Sequence, residues 1–148
     1  MRYDSRLPRV LHALLHLEQM EKPATSAVLA RMLATNASVV RRTMAGLRDA
    51  GIVASIKGHG GGWSLARPLA EISLLEIYRA LGTPELFAIG NAEDATTCRL
   101  AQAANTATSQ ALEAARQFFE AQLEAISVAD IAARGTLDWT DHDAHLGS

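Results

Sequence analysis

Two adjacent arginines, Arg41 and Arg42, are the residues of this sequence whose type and spacing best suit ligand chemistry. A guanidinium group can donate two parallel hydrogen bonds to a phosphate or to O6 and N7 of guanine, and a serine hydroxyl can contact either. At about 100° per helical residue, Ser38 and Arg42 share the outward face of a helix, with Arg41 on its flank. An arginine pair that only solvates an exposed helix is the alternative interpretation.

A glycine-rich segment at 58–62 follows on the same stretch of chain and carries basic residues at positions 57 and 59. Basic side chains beside a backbone that can approach closely are typical of a nucleic-acid surface. We therefore interpret the arginines and this segment as one DNA-binding surface. The predicted contacts are Ser38, Arg41, Arg42, Lys57, His59, Gly60 and Gly61.

The elements predicted around these residues have the order of a winged helix-turn-helix. Apolar residues recur at helical spacing over 28–33, which predicts a short helix. Asn36 is suited to cap a second helix, and Gly51 to end it in the left-handed conformation. Strand-like runs at Ile52–Lys57 and Trp63–Arg67 flank the glycines and predict a β-hairpin. In this order of elements the second helix enters a DNA major groove.

Two more helices are predicted to complete this domain, which we assign to residues 1–82. One runs from Ser5 to Glu18 with an apolar stripe, and the other runs from Leu74 to Leu81. Ser73 and Glu76 match a capping box at the start of the second. The apolar side of the predicted DNA-binding helix, Val40, Met44 and Leu47, is expected to face the core.

The second half of the chain is predicted to hold a dimerisation helix. We expect a loop over 83–99, a long alanine-rich helix followed by a short one over 100–134, and a flexible tail over 135–148. Small residues on one stripe permit close approach of a second helix, and phenylalanines supply buried area. Packing of this helix within its own subunit is the alternative. The predicted dimer contacts are Ala104, Ala111, Ala115, Phe118 and Phe119.

The segment Asn36–Arg67 carries a resemblance to a known family. The sequence TNASVVRRTMAGLRDAGIV, followed by GHGGGWSLAR and ISLLEIYRAL, resembles the Rrf family of bacterial repressors, the IscR/NsrR/BadM type. The resemblance extends from about residue 5 to 132. It implies a dimeric, cytoplasmic transcriptional regulator, and many members sense iron–sulfur status, nitric oxide or redox state.

Basic residues are concentrated in the half of the chain that is predicted to bind DNA. The chain of 148 residues has a formal net charge of −2. Residues 1–80 carry 11 Lys and Arg against 6 Asp and Glu, whereas residues 81–148 carry 3 against 10. Charge asymmetry of this kind indicates nucleic acid at the basic end. The N-terminus lacks a signal peptide and no run reaches membrane-spanning length, so we expect a cytoplasmic protein with no membrane partner.

The single cysteine, Cys98, limits the sensing chemistry. Cluster-binding members of the resembled family carry three cysteines where this chain has one, and an iron–sulfur cluster normally needs several thiolates. Asp4 or His12 from a partner subunit would still leave the ligand set short, so we expect no cofactor. A redox role for Cys98, with Arg99 favouring its thiolate, and an unremarkable cysteine both stay open. A small-molecule effector between the winged helix and the long helix is a third route.

Other polar constellations do not indicate catalysis or a metal. His12 and His16 have a spacing that could hold a metal but lack a third ligand nearby. Asp141, His142, Asp143 and His145 lie in the predicted tail. No phosphate-binding loop, nucleophile elbow or HExxH pattern is present, so an enzyme is not expected.

The sequence therefore predicts a mainly α protein with a small β-hairpin wing: a winged helix-turn-helix plus a long dimerisation helix. The leading hypothesis is a homodimeric transcriptional regulator, acting as a repressor, that binds a pseudo-palindromic operator in double-stranded DNA. A winged-helix module that binds proteins and does not contact DNA is the alternative.

Overall fold

The fold is mainly helical with one small antiparallel sheet, as the sequence predicts. A computed structural model describes residues 3–92 and 97–135. Within these ranges the elements, in chain order, are α1 (Arg6–Gln19), α2 (Ser26–Met32), α3 (Ala37–Asp49), β1 (Val53–Ile56), β2 (Gly62–Leu65), a 3-10 helix (Leu69–Glu71), α4 (Leu74–Ala80), α5 (Arg99–Glu124) and α6 (Val128–Gly135).

The turn between α2 and α3 is set by side-chain caps. The Thr25 hydroxyl accepts a hydrogen bond from the amide of Val28 at 3.2 Å and opens α2. The Asn36 side-chain oxygen accepts from the amide of Val39 at 3.0 Å and opens α3, as expected for a residue whose side chain can satisfy a free helix amide. Gly51 follows α3 with a φ of +76°, which confirms its predicted place at the helix end.

The β-hairpin is attached at its root to the start of α2. Val53 pairs with Leu65, and Ile56 with Gly62, in an antiparallel register. Trp63 also exchanges backbone hydrogen bonds with Ala24, at 2.8 and 2.9 Å. Its indole donates to the Ser26 hydroxyl at 3.0 Å, so the one polar atom of a buried ring has a partner. These contacts fix the hairpin relative to α2.

Apolar side chains from α1, α3, α4 and the hairpin make one core. Among the described residues no polar or charged residue is buried. Leu14, Leu47 and Ile77 are fully buried, and Val40 and Met44 are nearly so, which confirms the predicted inward side of α3. Burial of each large aliphatic side chain contributes about 1.5–3 kcal/mol.

The capping box predicted for α4 is present and joins the end of the hairpin to that helix. The Ser73 hydroxyl accepts from the amide of Glu76 at 3.2 Å, and the Glu76 carboxylate accepts from the amide of Ser73 at 3.1 Å. Arg67 donates to the same carboxylate at 2.8 Å and to the carbonyl of Glu71 at 2.7 Å. The Arg67 hydrogen bond is the largest cause that holds the pKa of Glu76 below its ordinary value.

The end of α5 and the start of α6 belong to the same core as the winged helix. Leu123 and Val128 are buried in it. The amide of Leu74 donates to the carbonyl of Ile126, and the amide of Val128 donates to the carbonyl of Ile72, both at 2.9 Å. The domain division at residue 82 stays a prediction, but the second half of the chain is packed against the first.

Within the described part of the chain, no helix is long and apolar enough to cross a membrane. The predicted tail lies almost wholly outside the described residues.

Candidate DNA interface

The exposed side of α3 carries the side chains that the sequence assigned to DNA. Ser38, Arg41 and Arg42 are exposed, while Val40 and Met44 point into the core on the other side of the helix. Arg41 donates to the Ser38 hydroxyl at 3.3 Å, which holds the two side chains together at the start of the helix. The first turns of α3 therefore present a hydroxyl and two guanidinium groups to solvent.

The wing turns tightly because four of its residues, at 58 and 60–62, are glycine. The amide of Gly61 donates to the carbonyl of Gly58 at 3.0 Å. A Cβ at position 61 would lie 2.2 Å from the carbonyl oxygen of Ile56, and Gly60 has a φ of +75° that side chains rarely adopt. The turn leaves Lys57 and His59 exposed at the tip.

A cleft of about 660 Å³ separates the start of α3 from the wing. Arg41 lines one wall, and Ser55, Gly58 and Gly61 line the other. The structure thus brings Arg41 of α3 and Gly61 of the wing together at one cleft. Their contact with DNA stays a prediction.

The basic groups of this surface are not neutralised by neighbouring acids. Among the described residues, no carboxylate lies within ion-pair distance of Arg41, Arg42 or Lys57. Arg6, in contrast, forms an ion pair with Asp4 at 2.7 Å. The hydrogen bond that the Arg6 side chain donates to Asp4 is the largest cause that lowers the pKa of Asp4. Unpaired cations on one surface keep their full charge available to phosphates.

One exposed residue of α3 was not assigned by the sequence reasoning. Val39 is 37% exposed although it is apolar, and it lines a small cleft together with Arg42 and Thr43. The signal that could have found it is its position, because it lies outside the apolar stripe that Val40 and Met44 define.

The long helix α5 exposes most of the predicted dimer face. Ala104 and Ala111 are exposed, Ala115 is half-buried, and Phe118 is 69% exposed. Ala111 and Ala115 line a groove of about 550 Å³ together with Phe87 and Ile89 of the loop that precedes α5. Phe119 differs from the prediction, because its ring packs edge-to-face on Tyr78 of its own subunit with centroids 5.5 Å apart. At 100° per residue it lies about 80° from the stripe and turns towards α4.

Cys98 caps the start of α5 and is exposed. Hydrogen bonds from the backbone amides of Ala101 and Leu100, in that order, lower the pKa of its thiol. The sequence had assigned this effect to Arg99. The backbone amides at the start of the helix supply it instead.

The described residues do not fit an iron site. Cys98 is the only cysteine of the chain. Within residues 3–92 and 97–135 no three His, Cys, Asp or Glu side chains come together as metal ligands. The ring Nε2 atoms of His12 and His16 do approach to 2.8 Å, as their spacing predicts, but they form a group of two. The acidic and histidine residues at 141–145 lie outside the described residues.

A second cleft, of about 460 Å³, lies where the sequence placed an effector. It is lined by residues of α4, of the loop that follows α4 and of α5. Tyr78, Pro84, Phe87, Leu112 and Arg116 contribute to its walls. Tyr78 holds the loop by donating a hydrogen bond from its hydroxyl to the carbonyl of Pro84.

Comparison with known proteins gives consistent matches over most of the chain. The family model described as "Rrf2: Iron-dependent Transcriptional regulator" matches residues 3–134. YwnA of Bacillus subtilis (strain 168), named as a candidate HTH-type transcriptional regulator, is 33% identical over 129 residues, which are 86% of this chain and 95% of the relative.

Two solved structures share the fold. The crystal structure of a candidate DNA-binding protein matches with a TM-score of 0.70 at 30% identity and covers 86% of this chain and 99% of the other. IscR of T. potens matches with a TM-score of 0.65 at 23% identity, covering 90% and 88%. At that lower identity the likeness concerns the fold alone.

Proposed function

This chain belongs to the Rrf2 family of DNA-binding transcriptional regulators, and from that premise we propose that it binds a pseudo-palindromic operator as a homodimer and represses transcription. The observation that carries the proposal is the surface formed by α3 and the wing, where Arg41, Arg42 and Lys57 are exposed and have no acidic partner among the described residues. Family membership makes a regulator, and not an enzyme, the class of protein. It also favours DNA over the protein-interaction alternative.

Each part of the surface has a separate task on a DNA duplex. The start of α3 enters the major groove, where Ser38 and Arg42 contact base edges. The wing lies beside the phosphate backbone, which Lys57 and His59 contact, because its glycines at 60 and 61 let the main chain approach closely. Base contacts on α3 set the sequence preference, and wing contacts add affinity on any sequence.

The homodimer is proposed to form along the exposed face of α5. This helix of 26 residues has one buried residue in its own subunit, Leu123 near its end. Phe118 and Leu100 are 69% and 82% exposed on the same stripe as Ala104 and Ala111. An apolar stripe on a helix about 39 Å long is best covered by a symmetry mate, in which the same residues face each other. The α3 helix of each subunit then binds one half-site of the operator.

Repression follows from occupancy. A dimer that covers two half-sites within a promoter would exclude other proteins from the same DNA. A transcription assay with purified polymerase, with and without the regulator, tests this step. A rise in transcript on addition of the protein would instead make it an activator.

Cys98 is the residue proposed to respond to oxidants. An exposed thiol with a lowered pKa supplies the thiolate, which attacks one oxygen of peroxide; the O–O bond breaks and the products are a sulfenic acid and water. Operator affinity of the wild type should then change with mild peroxide and recover with a reductant, whereas Cys98→Ser should not respond. An equal response of Cys98→Ser would transfer the effect to another residue.

A ligand in the 460 Å³ cleft is the second route to regulation, favoured by the position of that cleft between α4 and α5. We propose no iron–sulfur cofactor for either route, because one thiolate per subunit is too few. Purified protein should be colourless and free of acid-labile sulfide. A brown protein would contradict the inference from the cysteine count.

The proposed function is tested by fluorescence polarisation with genomic promoter fragments and excess nonspecific competitor. The expected result is a subset of fragments bound in competition, with two subunits per site. Equal binding to all fragments, or binding to none, would contradict an operator-specific regulator.

A further inference from the structure

Val39 is an aliphatic residue on the surface of a helix that is otherwise polar where it meets solvent. It is 37% exposed, and its neighbours on the exposed side of α3 are Ser38 and Arg42. We infer that Val39 is a specificity residue that contacts the 5-methyl group of a thymine in the operator. This inference rests on the function proposed above.

The position of Val39 on α3 separates its role from that of the arginines. Arg41 lies on the flank that faces the wing, where it lines the 660 Å³ cleft. Val39 lies on the opposite flank, where it lines a cleft of about 150 Å³ with Arg6 and Arg42. The start of α3 therefore presents a cation on one flank, a hydroxyl and a cation outward, and a branched aliphatic group on the other flank.

The chemistry of the major groove leaves one partner for an aliphatic side chain. Base edges there present hydrogen-bond donors and acceptors, and the one apolar group among them is the methyl group of thymine. A polar residue at position 39 would serve equally well for phosphates or sugars. A valine gains free energy only where it removes apolar surface from water.

The side-chain conformation of Val39 is restricted before any contact with DNA. It lines a small apolar recess with Val10, Val40 and Met44, and 37% of its surface stays exposed. A β-branched side chain in a helix has one strongly preferred rotamer. Little side-chain entropy is lost when its exposed methyl group meets a base.

The spacing of Val39 and Arg42 predicts where the thymine lies. Residues three apart on a helix have Cβ atoms about 5–6 Å apart, and base pairs are stacked about 3.4 Å apart along each strand. The thymine contacted by Val39 should lie within one or two base pairs of the guanine contacted by Arg42.

The test replaces each thymine of the identified operator by deoxyuridine, which removes the methyl group alone. Wild-type protein should lose about fourfold in affinity at one thymine in each half-site, since one buried methyl group is worth about that factor. Val39→Ala should bind the methylated and unmethylated sites equally. Ile56→Ala, which alters an exposed aliphatic residue of the wing, is the matched control and should keep the fourfold preference.

The possible outcomes distinguish a failure of this inference from a failure of the proposed function. A wild-type protein indifferent to every deoxyuridine substitution would overturn the role of Val39 while leaving DNA binding intact. A Val39→Ala protein that keeps the full methyl preference would do the same. Failure of the wild type to bind any promoter fragment would remove the proposed function and this inference with it. Circular dichroism of Val39→Ala should match the wild type, because alanine is the better helix former.

Discussion

Replacing Gly62 by alanine should destabilise the protein at the root of its wing. Gly62 opens β2 with a φ of +147°, and a Cβ there would lie 2.5 Å from the carbonyl oxygen of Ala24. The next residue, Trp63, exchanges backbone hydrogen bonds with Ala24 at 2.8 and 2.9 Å. The clash is with main-chain atoms, so no side-chain rotation relieves it. The hairpin must move away from α2.

Two contributions set the size of the effect: the backbone conformation forced on the alanine and the hydrogen bonds between Trp63 and Ala24. An alanine forced into a conformation that side chains rarely adopt costs about 1–3 kcal/mol. Each backbone hydrogen bond stretched or lost adds about 1 kcal/mol. The free energy of unfolding should therefore fall by about 3 kcal/mol or more. For a chain of this size that lowers the midpoint of thermal unfolding by about 6–12 °C.

Thermal unfolding followed by circular dichroism, at one fixed protein concentration, measures this loss. Gly60→Ala is the matched control, because Gly60 also has a positive φ of +75° but has open space where its Cβ would be. The free energy of unfolding of Gly60→Ala should fall only by the cost of the backbone conformation, about 1 kcal/mol. Equal losses for Gly62→Ala and Gly60→Ala would refute the reasoning, since they would show that contact with Ala24 contributes nothing.

Four further predictions concern the wing, α5 and the start of α4. Lys57→Ala should weaken binding on all DNA sequences alike and lower the slope of log affinity against log salt by about one, measured by polarisation at several salt concentrations. Phe118→Asp should give a monomer in sedimentation velocity, because it places a charge in the proposed dimer seam. Phe119→Ala should stay dimeric but lose about 2 kcal/mol of stability, since its half-buried ring packs on Tyr78. The pKa of Glu76 lies below its ordinary value of 4.5, so its stabilising contribution is present at neutral pH and is lost as the pH falls below about 4.5. Glu76→Gln should remove that part of the acid dependence in urea unfolding; an unchanged pH profile would contradict the ion pair with Arg67.

Local signals in the sequence predicted the elements that carry the interface. Asn36 marks the start of α3 and Gly51 marks its end. Both positions could be predicted because a capping side chain and a left-handed glycine act on the backbone within a few residues. The same holds for the Ser73 capping box of α4. Helical periodicity alone then placed Val40 and Met44 inward and Arg42 outward.

Contacts between distant segments could not be predicted in this way. The bridge from Trp63 to Ala24 and the indole bond to Ser26 depend on how the hairpin returns to α2. Phe118 and Phe119 are neighbours in sequence, so composition could not tell which one meets Tyr78. The cause of the lowered pKa at Cys98 likewise depends on where α5 begins, because backbone amides and not a charged neighbour provide it.

The affinity of Arg42→Ala for the operator tests the DNA-binding account most directly. It should be measured on the operator and on each single-base-pair variant, beside Arg134→Ala, which removes an equal charge from α6. Arg42→Ala should lose about 1–3 kcal/mol, or about 5- to 150-fold, and become indifferent to one guanine position, while Arg134→Ala should match the wild type. Equal affinity of Arg42→Ala and wild type on every sequence would contradict the assignment of α3 as the DNA-contacting helix.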